Sequence, residues 1–78
     1  MFGVWIEMSE WIDLKKELPK DCEKVLIFTN RKEMAMGYFI IEDQEITGMK
    51  YDGTVTSLST WALRGVIPKL YMRIKPPK

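Results

Sequence analysis

Histidine is absent from this chain, and cysteine occurs once, as Cys22. Without histidine, Ser-His and Cys-His nucleophile pairs are impossible. A lone cysteine excludes an internal disulfide and a multi-cysteine zinc site. Cys22 sits between Asp21 and Glu23, whose negative charge raises a thiol pKa and reduces its nucleophilicity. It therefore reads as structural or incidental. Long apolar runs are also missing: the longest, Met34 to Ile41, has eight residues, against the roughly 20 that span a bilayer. The N-terminus lacks a basic region followed by an apolar core, so no secretory signal is expected. Glycine-rich phosphate loops are absent, since Gly48 and Gly53 stand alone in a strand and a turn. The acids Glu42, Asp43 and Glu45 lack the spacing that wraps calcium and read as a solvated turn. No catalytic set, metal or cofactor is expected from these residues, and the expected location is a reducing cytoplasm.

What is present fits a small β-rich domain. A chain of 78 residues makes one domain, because neither half of a split would bury a core. Residues 1–10 read as an N-terminal extension forming an edge strand, with 11–78 as a single β-rich domain. In the extension, Phe2, Val4 and Ile6 alternate with Gly3, Trp5 and Glu7, as in a short strand with unlike faces; Met8 is an alternative start to Met1. Trp11-Ile12 is a brief extended piece. Leu14 and Leu18, four apart, allow one helical turn within residues 13–18 before Pro19 stops it. Lys20 to Glu23 is a polar turn.

Val25 to Thr29 is a continuous β-branched and aromatic run with two apolar faces, the pattern of a central strand covered on both sides. Asn30-Arg31-Lys32 turns it into a second arm, Met34 to Ile41, making a hairpin. Gly37 inside that arm predicts a bulge or a close approach of another group. Met34 and Met36 fall on one face and are expected to fill core space, the alternative being an adaptable surface for protein partners. Glu42 to Glu45 is a turn, Ile46 to Tyr51 a strand, and Asp52-Gly53 the best tight-turn dipeptide. The next strand is expected from Thr54 to about Leu63, broken by Arg64-Gly65, and a last one from Leu70 to Ile74 before Pro76-Pro77. Short connections require antiparallel pairing. The expected fold is mainly β: a small antiparallel meander of about five short strands with at most one helical turn.

Charge is divided along the chain. Residues 53–78 hold Arg64, Lys69, Arg73, Lys75 and Lys78 and no acid, while all eleven acids precede them. Together with Trp61 and Tyr71, the residues Arg64, Lys69, Arg73 and Lys75 form a candidate site that combines stacking surfaces with phosphate contacts. In the opposing reading the two halves neutralise each other, Trp61 is core and Tyr71 is a strand residue.

From Trp11 onward the chain resembles the domain of unknown function 551, a family of short proteins from bacteriophages, prophages and bacteria. That family's pattern is Trp-Ile, five residues, Leu-Pro, five residues, Val-Leu; here these are Trp11-Ile12, Leu18-Pro19 and Val25-Leu26. Gly37-Tyr38-Phe39 is similar to the family's Gly-Tyr-aromatic piece. Ser59-Thr60-Trp61 stands where the family has Thr-His-Trp, and Ala62-Leu63-Arg64-Gly65 replaces its proline-rich close. The resemblance covers Trp11 to Trp61. It implies a compact β-rich fold and a phage or mobile-element setting, and no established activity. The reading that follows is a non-catalytic binding protein, a phage-associated accessory factor engaging a host protein such as a defence system, in the host cytoplasm and away from membranes. A homodimer is expected, with residues 1–8 or 66–74 at its interface. Nucleotide or single-stranded nucleic-acid binding by the basic third is the alternative.

Overall fold

Alternating branched and aromatic residues organise the computed structural model, which describes residues 11–74. The strand or extension expected over residues 1–10, together with Lys75 and Pro76-Pro77, lies outside the described residues. The described residues form six strands: β1 (Ile12–Asp13), β2 (Val25–Thr29), β3 (Met34–Glu42), β4 (Glu45–Tyr51), β5 (Thr54–Ser57) and β6 (Pro68–Arg73). One helix, α1 (Leu58–Leu63), separates β5 from β6. The strands form one antiparallel sheet in the order β1-β6-β2-β3-β4-β5. Four strands in succession make a meander, and β6 then returns to the free edge of β2. This is the mainly β meander expected from the sequence. The helical turn expected near residues 13–18 is also present, closed by the amides of Lys16 and Glu17 donating to the Asp13 carbonyl (2.9 and 3.1 Å).

Two of the three hairpin turns of the meander place two consecutive residues at positive φ. These are Asp43 (51°) with Gln44 (64°), and Asp52 (52°) with Gly53 (87°). Such turns carry the twist that antiparallel neighbours need.

The strand expected over Thr54–Leu63 stops at Ser57 and continues as helix. Ser57 caps α1, its Oγ accepting from the Thr60 amide at 3.2 Å, which satisfies a donor that the helix start leaves free. Gly65 (φ 83°) closes the other end, where its amide bonds to the Ala62 carbonyl and that of Val66 to the Trp61 carbonyl, both at 2.9 Å. Tertiary packing decides against strand here. Trp61 turns inward, buries its ring, and donates its indole N–H to the Met49 carbonyl at 2.9 Å.

The core lies on one side of the sheet. Cross-strand pairs place Ile27 beside Tyr71 and Ala35, and Phe39 beside Met49. Val25, Ile27, Phe39, Met49 and Tyr71 are fully buried. Trp61 and Val66 cover them, and Leu14 and Leu58 pack around the margin. The link before β6 is tied down by Asn30: its Oδ1 accepts from the Ile67 amide at 2.7 Å, and its own amide donates to the Ile67 carbonyl at 2.8 Å. No helix among the described residues is long and apolar enough to cross a membrane.

Candidate functional site

The basic, aromatic third resolves into two separate pairs. Trp61 is buried, its ring edge-on to Tyr51 (5.7 Å between centroids), and the Arg64 guanidinium lies 5.5 Å from its ring centre. Tyr71 is fully buried against Phe39, and the Arg73 guanidinium lies 5.5 Å from its ring centre. Arg73 binds Glu17 at 3.1 Å and Glu23 at 3.2 Å, and the hydrogen bond to Glu17 raises its pKa further above an already basic value. Lys69 is exposed on β6, its carbonyl accepting from the Leu14 amide. Both candidate stacking rings thus spend their faces in the core or under their own arginines. A base would need a free ring face.

Cys22 is exposed and held at positive φ (62°). Its thiol is pushed above the ordinary range, first by local desolvation and then by Asp21, which also accepts its weak hydrogen bond (3.7 Å). The same Asp21 carboxylate accepts from the Ile41 amide at 2.8 Å, so this loop clamps β3. Among the described residues no three His, Cys, Asp or Glu converge on a point where a metal ion would sit. On the core side, a cleft of about 300 Å³ opens between α1 and the turn after β1. Leu14, Ile46, Leu58 and Ala62 line it, with Lys15 at its rim.

The other side of the sheet has no covering layer among the described residues. Side chains alternate along a strand, so every second residue of β2, β3 and β6 points there. Leu26 stands opposite Met36 and Met72, and Phe28 opposite Met34 and Leu70. Tyr38 and Ile40 extend the surface along β3, and Val55 carries it to β5, opposite Lys50. Trp11 lies against Phe28 at 5.5 Å, and the Lys50 ammonium stands 5.9 Å from the Tyr38 ring centre. Met34 is 54% exposed, Val55 50%, Met36 44% and Trp11 38%; large apolar side chains at such exposure on one continuous face form a patch, not scattered exceptions.

One expectation is corrected here. Met34 and Met36 do not fill the core, because the core is on the opposite side. The second apolar face of Val25–Thr29 has no covering layer among the described residues: Leu26 and Phe28 are half-buried there, with the Trp11 ring against Phe28. Periodicity shows that a face is apolar but not what lies against it. The methionine content was the available sign, since Met is over-used at adaptable binding surfaces. No protein-family model, curated protein or solved structure matches this chain.

Proposed function

We propose that this protein is a non-catalytic binding module that docks a partner protein on the open face of its sheet. The row of Trp11, Phe28, Met34, Met36 and Tyr38, which has no covering layer among the described residues, carries this reading. Aromatic residues and methionine are enriched at protein interfaces, where a few anchors supply most of the binding energy. The face suits a protein better than a nucleic acid, because within its strands Lys50 is the one cation among the described residues, and polyanion binding needs several phosphate contacts. A phage-accessory role against a host protein is part of the proposal, and its support is the residue pattern of Trp11 to Trp61.

Affinity capture from host lysate tests it, with the wild type compared with Met36→Lys and Val55→Lys, and with Leu63→Lys as control. Leu63 is 88% exposed on α1, on the other side of the sheet. The expected result is a nuclease-resistant protein partner that both face variants lose and the control keeps. Capture insensitive to the face variants rejects the site. Salt-sensitive binding of short single-stranded DNA or RNA, weakened by neutralising Arg64 and Lys69, would favour the basic third instead.

A further inference from the structure

We infer that the first occupant of the open face is a second copy of this chain, packed sheet on sheet about a twofold axis. The inference rests on the docking reading above and names the partner. Strand addition at the sheet edges is poorly provided for: β1 has two residues and β5 four, shorter than the usual five or six. The unfilled surface is therefore the face.

Its size suits a copy. Six strands at about 4.8 Å spacing are roughly 25 Å wide, and the four inner strands, of five to nine residues, run about 17–30 Å. That outline covers on the order of 500 Å² per copy, so a pair buries around 1,000–1,300 Å² of accessible surface, which reaches the lower bound of about 1,000 Å² for a specific interface. The packing that closes an apolar sheet face is a second sheet about 10 Å away with interdigitating side chains. A copy supplies a sheet of the same width and strand length.

Its chemistry allows a copy as well. A twofold contact presents the same patch from both sides, so a charged face would repel itself. From β6 to β4 the charged residues on this side are Lys50 in the middle and the pair Glu42 and Glu45 at the far end of the β3–β4 hairpin, away from Met34 and Met36. The Lys50 ammonium is already drawn over Tyr38. Met34, Met36 and Met72 are unbranched and adaptable, so like can pack on like without a preformed fit. In such a pair self-association stores the docking face until a tighter partner displaces the copy.

Sedimentation velocity of the full chain from about 1 to 200 µM, the range in which a weak dimer would show, tests the inference. Wild-type protein is expected to be dimeric by tens of micromolar. Met36→Lys and Met34→Glu, both at exposed positions, are expected to weaken association at least about tenfold by placing a charge in an apolar contact, with the fold retained by circular dichroism. Leu63→Lys is expected to leave the dimer intact. A wild-type monomer throughout overturns the inference, as does a dimer that survives both charged variants. A monomer that dimerises only after removal of residues 1–10 assigns the face to the chain's own N-terminal segment and also overturns it. Capture is scored separately. A wild-type monomer whose captured partner is lost in Met36→Lys rejects the second copy and keeps the docking reading. A dimer abolished by Met36→Lys, with capture unchanged, does the reverse.

Discussion

At Gly37 a Cβ would collide with the Lys50 carbonyl oxygen and crowd Ile27 Cδ1 at 3.1 Å. The backbone of β3 needs that vacancy to sit against β4. Gly37→Ala is expected to cost about 3 kcal/mol, because backbone rather than a flexible side chain must move; urea unfolding measures it, and a loss below about 1 kcal/mol would contradict the close approach. Tyr71 poses a different problem. It is fully buried, and its hydroxyl has no hydrogen-bond partner among the described residues. Burial raises its pKa, and that of Tyr51 likewise. Above about pH 10 an unfolded tyrosine ionises while the folded rings hold their protons. The unfolded state then binds fewer protons, and stability falls as pH rises further. At neutral pH neither state ionises and the effect vanishes. Tyr71→Phe is expected to keep or raise stability at neutral pH, by up to about 1 kcal/mol, since it removes an unpaired polar group. It should also flatten the alkaline decline; melting curves at several pH values above 9 check both, and an unchanged alkaline slope would exclude Tyr71 as its source.

The hairpin turns after β3 and after β4 share a backbone but not a composition. Asp52-Gly53 has glycine at its second position, whereas Asp43-Gln44 holds Gln44 at φ 64°, where an L-residue is strained. Gln44→Gly is expected to stabilise the domain by roughly 1 kcal/mol, and a lower melting temperature would refute the strain. Much at this scale was legible in the sequence. The Val25–Thr29 run, its hairpin with Met34–Ile41, the Asp52-Gly53 turn and the close approach at Gly37 all follow from local pattern. What was not legible depended on partners distant in sequence. Ser57 to Leu63 reads as strand because it continues the Thr54-Val55-Thr56 run with no breaking residue before Arg64-Gly65, yet its conformation is decided by Trp61 reaching Met49. The candidate site was illegible for a related reason: Trp61 and Tyr71 look like stacking surfaces until the fold buries them. The two-faced pattern of β2 does not reveal that one of its faces has no covering layer among the described residues. Ile27 carries the covered half of that strand at zero exposure. Ile27→Lys would bury an unpaired charge and is expected to unfold the domain; a soluble variant with unchanged melting temperature would disprove the strand's central place.

Over the whole molecule, the uneven charge of the chain is partly closed by folding, because Arg73 from the basic end meets Glu17 and Glu23 from the acidic half. All three side chains keep contact with water, so Arg73→Gln is expected to cost about 1 kcal/mol or less. The cost should shrink with added salt, and denaturation at low and high ionic strength would reveal a larger, salt-insensitive loss if the pair were structurally decisive. The place of β6 between β1 and β2 bears on how the protein is made. On a ribosome the strands emerge in numerical order, and β1 has no neighbour to bond until β6 arrives. Until then β2 shows a bare edge of Val25 to Thr29, a segment of high β-propensity and no charge, the kind that pairs between chains. Synthesis therefore opens a window of aggregation that only the last of these strands can shut, and a pause between the codons for β5 and β6 would lengthen it.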